Sequence, residues 1–495
     1  MKKMSSALIM VIENIKSSIR DALSSAISAE LILHNEIPDI NIEIPANRKN
    51  GDLSSNIALA SAKMFKSSPK KIADIIVSDL KSLNSLISKV EIAGPGFINF
   101  FLTQEFYTKV LEEIDYFGPK FGQSNIGNGK KVMVEFVSAN PTGPMHMGNA
   151  RIGALGDCLA AVLDAVGYDV WREFYINDAG SQIEKFGKSL EARYLQIYKD
   201  SVPFPEDGYQ GDDIKELAKE FADKHGESFL NTNQDERKKA LVKFALPKNI
   251  EKMHKDMMKY KINFDNWFNE SDLHKNGEIQ EVIDTLNKRG YTYKSDGALW
   301  YRASLFGSEK DEVLVRNNGI PTYFAADIAY HKNKLQERKF DLCIDILGAD
   351  HHGHVTRMKG AMKALGLEPD KLHILLVQLV RLIKDGEVVR MSKRTGKAIQ
   401  LSDLLDEVSS DAARFIFNMY EADSSMDFDL DLAVKKDSEN PVYYVQYAYA
   451  RICSIFNSCD KEFLNNIKSK KVNLSLLESE EEKELIFHMS ILTLE

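Results

Sequence analysis

The sequence predicts a multidomain α/β protein: a central parallel-sheet domain interrupted by a helical insertion, with an α+β domain before it and an all-α domain after it. Three observations carry this expectation. From Lys130 onward, strand-like and helix-like runs alternate, as βαβ units require. Before that point, residues 1–118 hold their own helices and strand pair, and the Gly/Asn-rich stretch Gly122–Gly129 follows as a linker. After residue 402 the pattern is nearly all helical. A chain of 495 residues suits about two to four such domains.

In the first domain, amphipathic helical stretches flank the extended segment Ile40–Pro45 and the polar run Arg48–Leu53. Alternation in Val90–Ala93 and the apolar run Phe97–Leu102 predict two strands around the turn Gly94-Pro95-Gly96. The central domain, residues 119–401, opens with strand Val132–Val137, helix Ile152–Val166, strand Val170–Ile176 and helix Ser181–Tyr198. Residues 200–295 then read as a charged helical insertion, with helices across Asp212–Lys224 and Asp235–Lys261. Strands resume at Glu312–Arg316, Leu342–Leu347 and Ile374–Ile383, and Asp385-Gly386 marks a hairpin. The last domain, residues 402–495, contains the tyrosine-rich helix Tyr443–Arg451, whose tyrosines are expected mostly in a core. The pattern remains helical over Glu480–Leu494, so that domain is expected to be incomplete at its C-terminus.

Composition narrows the function classes. The 44% hydrophobic fraction suffices for a core, and a formal charge of −9 argues against a generally basic nucleic-acid coat while allowing a local basic groove. Cys158, Cys343, Cys453 and Cys459 lack C-x-x-C spacing and read as reduced thiols of a cytoplasmic protein. The apolar run Ala7–Ile12 is cut by Glu13-Asn14, which favours an amphipathic helix over a signal peptide. No segment approaches the length of a membrane span.

Two segments carry chemistry. Pro141-Thr142-Gly143-Pro144-Met145-His146-Met147-Gly148-Asn149 lies between a strand and a helix, where backbone amides and the helix N-terminus suit a nucleotide's phosphates. His146 can donate to a phosphate oxygen, and Gly148 permits close backbone approach. A lone histidine in such a turn is more often a core residue; the strand–loop–helix context is what favours chemistry. Far downstream, Arg390-Met391-Ser392-Lys393-Arg394-Thr395-Gly396 is a basic loop that in isolation would be a solvated turn.

Together, and in this order, the two segments resemble the signature motifs of the class I aminoacyl-tRNA synthetases. The longer stretch from Val134 to Arg151 resembles the first signature of the arginyl-tRNA synthetases, and the Ala398–Leu405 continuation also fits that family. The family's first motif is His-x-Gly-His, so Asn149 stands where a second histidine is usual; its second is Lys-Met-Ser-Lys-Ser, so Lys393 is the second lysine and Arg394 a departure. The resemblance implies a Rossmann-like catalytic domain, an N-terminal domain that contacts tRNA and a helical anticodon-binding domain. The activity it implies is an arginine–tRNA ligase that uses ATP with Mg²⁺, has no tightly bound metal, and acts as a monomer. Acylation of the 2′-hydroxyl first, and a need for bound tRNA during adenylation, come with the resemblance.

Residue roles follow from the same resemblance. His146, Asn149 and Lys393 are the expected catalytic residues, and Pro144, Gly148, Gly348, Asp350, Met391 and Ser392 join them in binding ATP. Thr395 and Lys397 are further candidates on the loop. A guanidinium pairs best with carboxylates, so Glu135 and Asp327, with Tyr323 one helical turn before Asp327, are expected to hold the arginine side chain. Ser138 and Asn140 would take its amino and carboxylate end, and His351 and His354 would line the pocket. The cluster Gly348–His354 also invites a zinc reading, which the absence of a distant ligand pair disfavours. After the second sheet strand, Gln182 is a candidate for the substrate amino acid, with helix capping by Asn177 or Asp178 the equal alternative. For tRNA the candidates are Phe97 and Asn99 near the N-terminus, and Tyr447, Tyr449 and Arg451 in the tyrosine-rich helix. A lysine-specific synthetase, a nucleotidyltransferase without tRNA and an inactive RNA-binding homologue remain as alternatives.

Overall fold

The structure, a computed structural model, describes residues 6–80, 83–199, 201–389, 399–460, 462–465 and 472–494. Contacts divide the chain into two units, Met1–Asn125 with Cys459–Glu495, and Ile126–Ser458. The expected boundary between 401 and 402 is therefore not where the contacts divide it.

In the first unit, α1 (Ala7–Ser28) starts where the Ser6 hydroxyl accepts from the Ile9 amide, and it buries Leu8, Val11, Ile15, Ile19 and Leu23 along one stripe. Strand β1 (Leu53–Ser55), helices α2 (Ile57–Ser61) and α3 (Pro69–Ser78), strands β2 (Ile87–Ala93) and β3 (Phe97–Leu102), and α4 (Gln104–Phe117) complete the layer. The sheet is antiparallel in the order β1-β3-β2. The final helix, Glu480–Ile491, adds Ile486 and Phe487 to the same core, with the Arg48 guanidinium 4.6 Å over the Phe487 ring. The helical C-terminus thus serves the N-terminal core, a partnership no local pattern announces. Ile40–Pro45 is not a full strand; it joins the sheet only through a bridge between Glu43 and Ser54.

The second unit begins with β4 (Lys131–Glu135), α5 (Met147–Ala165), β5 (Asp169–Ile176) and α6 (Gly180–Tyr198). Helices α7 (Asp212–His225) and α8 (Gln234–Lys259) form the insertion, packed on α6 around Leu190, Tyr194, Phe221 and Leu241. The chain re-enters the sheet earlier than expected, at β6 (Asn266–Asn269), before α9 (Glu270–Lys275) and α10 (Glu278–Lys288). A three-stranded antiparallel sheet follows, β7 (Thr292–Ser295), β8 (Ala298–Tyr301) and β9 (Glu312–Val315), so the Glu312–Arg316 run is not part of the parallel sheet. Then come α11 (Tyr323–Lys332), β10 (Leu342–Gly348), α12 (His352–Ala364) and β11 (Leu372–Val377).

The parallel sheet has the order β11-β10-β4-β5-β6. Strand order reverses between β4 and β10, and such a reversal opens a crevice at the strands' carboxyl ends. Glu135 and Asp345 face each other in register across it. The expected single strand Ile374–Ile383 is two: β12 (Val380–Lys384) leaves the sheet to pair with β13 (Glu387–Val388) and β14 (Met426–Asp429). The hairpin at Asp385-Gly386 forms as expected, both residues having positive φ, 52° and 74°. Helices α13 (Leu401–Glu407), α14 (Ser410–Asn418), α15 (Leu430–Val434) and α16 (Pro441–Ser458) close the unit.

Helix α5 carries the site and is held from two sides. Its fully buried Arg151 donates to the carbonyls of Gln378 (2.9 Å) and Glu421 (2.7 Å), tying the helix to the chain around β12 and β14. Gly156 lets the helix lie directly on β4: a Cβ there would stand 2.3 Å from the Phe136 ring. Phe136 is itself fully buried and has no room to retreat. Gly156→Ala is therefore expected to destabilise the fold by roughly 1–3 kcal/mol. Thermal melting checks this, and an unchanged melting temperature would contradict the close approach.

Candidate active site at the carboxyl edge of the parallel sheet

Strand β4 ends abruptly at Glu135. Val137 and Ser138 have positive φ, 70° and 38°, a conformation a β-branched residue rarely adopts. The turn swings the Ser138 hydroxyl back over the strand end, where it donates to Glu135 Oε1 (2.9 Å) and accepts from the Tyr175 amide (3.1 Å). The loop beyond is steadied by Asn249, whose side chain donates to the Pro141 carbonyl (2.9 Å), and it places Asn140 in solvent and Pro144 in a half-buried position.

His146 is the N-cap of α5. Its Nδ1 accepts from the Gly148 amide (3.1 Å), so the proton of the neutral ring sits on Nε2, which is left as a donor. Partial burial lowers the imidazole pKa, so the ring is neutral at neutral pH and acts as a hydrogen-bond donor without charge. Gly148 fits beneath the ring, since a Cβ there would lie 3.1 Å from it. Asn149 turns Oδ1 back to the His146 amide (3.0 Å), closing a reciprocal capping box. Here Asn149 organises the helix start at which an anion would bind.

The second motif, with Met391, Ser392, Lys393, Arg394, Thr395 and Lys397, lies outside the described residues. The chain just after it is tied to the first motif: Gln400 bridges to His146, and the Leu401 amide donates to the Met145 carbonyl (2.9 Å). His146 and Gln400, far apart in sequence, are thus brought together.

At the reversal point the site becomes acidic. Glu135 is buried, with Oε2 accepting from Lys334 Nζ at 2.5 Å and Oε1 taken by Ser138. Burial pushes its carboxyl up, and the adjoining ammonium opposes that shift. Asp327, half-buried on α11, has no side-chain hydrogen bond among the described residues. Burial, reinforced by the nearby Glu270 and Glu135 charges and partly offset by His331 and Lys334, raises its pKa to about 7. Tyr323 begins the same helix, one turn earlier, and is largely exposed. Sequence reasoning missed three members of this cluster. Glu270, at the start of α9, is buried, accepts from the Tyr175 hydroxyl (2.9 Å) and is likewise raised by burial. Tyr175 sits close enough to feel Glu270, Asp327 and Glu135 together. The apolar pair Trp267-Phe268 ahead of Glu270 was the available signal for a strand end carrying an acid; for Lys334 there was none.

The remaining candidates divide. Gly348 ends β10, next to Asp350 and His351, both exposed, whereas His354 is buried and, with its pKa pushed down to about 3, neutral. Gln182 is occupied by the Tyr209 hydroxyl, and Asp178 caps α9 through the Ser271 amide (2.7 Å), not α6. Among the described residues, the buried Asn177 Oδ1 has no partner. Asn99 faces inward, 4% exposed and accepting from Ser54 (2.7 Å), so its oxygen is not offered to a base; Phe97 beside it is exposed. The expectation of core tyrosines in α16 is overturned: Tyr444, Tyr447 and Tyr449 are exposed and, of the helix, only Val442 is buried. Arg451 lies 6.0 Å over the Tyr447 ring.

Comparison with known proteins follows this geometry. Residues 116–436 match the family model described as tRNA synthetases class I (R), catalytic domain; residues 13–102 match the arginyl tRNA synthetase N terminal domain, and 445–493 the DALR anticodon binding domain. The chain belongs to the class I arginyl-tRNA synthetase family. Relatives named arginine–tRNA ligase include one from Acetivibrio thermocellus, 54% identical over 97% of this chain and 86% of its own, and one from Caldanaerobacter subterraneus, 55% identical over 96% and 84%. The arginyl-tRNA synthetase of Thermus thermophilus shares the fold, with a TM-score of 0.69 at 21% identity over 96% of this chain and 86% of that one.

For an enzyme of this family the raised Asp327 carboxyl has a consequence in pH. A cationic side chain binds the ionised carboxylate and competes with a proton. Apparent arginine affinity should therefore be level above about pH 7 and fall as pH drops below it, by up to about tenfold per unit. Asp327→Asn should lose roughly 3–5 kcal/mol of arginine binding and that pH limb. Arginine KM measured from pH 5.5 to 8.5 checks this; a limb that survives in the variant would assign the titration to another group.

Proposed function

We propose that this chain ligates arginine to tRNA(Arg) in two steps at the β4/β10 crevice. The observation that carries the substrate assignment is Asp327, an acid without a side-chain hydrogen bond among the described residues and already crowded by Glu270 and Glu135. A cluster so rich in buried carboxyls favours a cationic side chain, and a planar fork of donors satisfies several oxygens at once. In this reading Glu135, Asp327, Tyr323 and the newly recognised Glu270 take the guanidinium. Ser138, Asn140, His351 and the unpartnered oxygen of Asn177 take the amino-acid end.

In the first step a carboxylate oxygen of arginine attacks the α-phosphorus of ATP, and the bond to pyrophosphate breaks. No protein nucleophile takes part, so catalysis is positioning and charge stabilisation. His146 donates from Nε2 to a phosphate, the amides of Gly148 and Asn149 at the start of α5 add to it, and Pro144 shapes the loop. Gly348 and Asp350 hold the adenosine, while Met391, Ser392 and Lys393 close on the pyrophosphate. Mg²⁺ travels with ATP, bound mainly by phosphate oxygens and water; among the described residues no group of three or more acidic, His or Cys side chains converges to hold a resident ion. In the second step the 2′-hydroxyl of tRNA's terminal adenosine takes the aminoacyl group and AMP leaves. Phe97 with Asn99 in the N-terminal unit, and Tyr447 with Arg451 in α16, are the proposed tRNA contacts, the exposed Phe97 and Tyr447 being the better placed for stacking. Among the described residues no helix is long and apolar enough to cross a membrane. The cytoplasm and a monomeric state accord with this reading.

Amino-acid-dependent pyrophosphate exchange, run with and without tRNA across a panel of amino acids, tests the assignment. Arginine should support exchange; exchange with lysine in its place would sink it. Lys393→Ala should lower kcat by roughly 10²–10³ while leaving arginine KM nearly unchanged. A change confined to arginine KM would contradict its role.

A further inference from the structure

Beneath the acidic pocket lies a chain of four buried ionisable groups, Glu135, Lys334, Asp345 and His331, of which the arginine reading uses only Glu135. Lys334 is fully buried in a π-helical turn, Asn333–Glu337, that extends α11. Its ammonium donates to Glu135 Oε2 on β4 (2.5 Å) and to Asp345 Oδ1 on β10 (2.7 Å), and its third side lies 4.2 Å from the Tyr330 ring. Asp345 Oδ2 is 2.6 Å from His331 Nε2, and His331 Nδ1 is 2.7 Å from the backbone carbonyl of Asp327. A carbonyl oxygen only accepts, and so does an ionised carboxylate. Both ring nitrogens of His331 thus face oxygens. The Lys334 ammonium, with His331 on the other oxygen, holds Asp345 well below the usual carboxylate range against the effect of burial.

Lys334 and His331 together occupy three of the four carboxylate oxygens of Glu135 and Asp345. We propose that Lys334 and His331 are positioning residues of the arginine pocket, neutralising Glu135 and Asp345 so that Asp327 remains the free anion that draws in the guanidinium. The inference rests on the arginine reading given above. His331 also grips the carbonyl of Asp327 itself, so it orients the turn that presents this carboxylate. Among the described residues, α9 alone of the neighbouring helices sets a further charge, that of Glu270, against Asp327. On α12, His354 is neutral and Arg357 is paired with Glu312 (2.7 Å); Glu281 of α10 is paired with Lys332 (3.1 Å). Glu270 of α9 is the other anion facing Asp327, with Tyr175 and His274 beside it.

The test reads the pH midpoint of arginine KM, which a merely structural role would not move. Lys334→Met leaves the Glu135 charge uncompensated beside Asp327, and the midpoint should rise by about one unit or more, with ATP KM unchanged within about twofold. Adding Glu135→Gln removes the charge that Lys334 had balanced, and the midpoint of the double variant should return toward that of Glu135→Gln alone. His331→Gln, which removes the ring between Asp345 and the Asp327 carbonyl, should also raise the midpoint and keeps the test open if Lys334→Met does not fold. Folded variants with the wild-type midpoint, or a double variant as shifted as Lys334→Met, would overturn the proposal. Amino-acid specificity of exchange is measured first on the wild-type enzyme. Loss of arginine dependence there would count against the functional reading, whereas arginine dependence with unmoved midpoints would count against this inference alone.

Discussion

The ammonium of Lys334 sits where the parallel sheet reverses its order, bonded at once to the last residue of β4 and to a residue in the middle of β10. Two carboxylates in register on adjacent strands would repel each other in a buried crevice, and each would be driven to take up a proton. One fully buried cation between them opposes that uptake and joins α11 to the sheet. Removing a single partner from such a pair is far more damaging than never having had it. The acidic pocket above, the direction of Asp327 and the strained turn at Val137-Ser138 all stand on this contact. The strain fits its setting: Ser138 has to fold back over Glu135 to hold the oxygen that Lys334 does not.

A second constraint acts at the start of α5. The start of α5 is closed on itself by His146 and Asn149, its middle rests on Phe136 because Gly156 has no side chain, and Arg151 fastens it to the chain around β12 and β14. The Gln400 bridge then ties the segment after the Ser392-Lys393 loop to that helix start. Substituting asparagine for the family's second histidine suits this design. Asn149 is nearly buried and contributes an acceptor to the cap, a task in which a positive charge has no place.

Much of the site was legible because its members lie at places that sequence marks. Glu135 ends an apolar run, His146 and Gly148 stand in a Pro/Gly loop before a helix, and Asp327 is one turn from Tyr323. Glu270 was hidden because β6 is only four residues long and lay inside a region that otherwise reads as helical. Lys334 and His331 were hidden for a different reason. A lysine near a helix end reads as solvated, and only the π turn and the neighbouring strands show that it points inward. The tyrosines of α16 misled in the opposite sense: aromatic density usually marks a core, yet this helix meets its unit almost only through Val442.

By itself the sequence determined the order of elements, the strand–loop–helix setting of His146 and the family to which the chain belongs. These depend on local periodicity, turn chemistry and short motifs, all written within a few residues of one another. Only the tertiary structure decided that the final helix completes the N-terminal core, that Ile374–Ile383 splits between two sheets, and that two carboxylates share one lysine. Each of these turns on which surfaces far apart in the chain bury one another. A charge in the sequence carries no record of its burial, and burial is what makes a carboxylate a ligand for guanidinium or a partner for lysine.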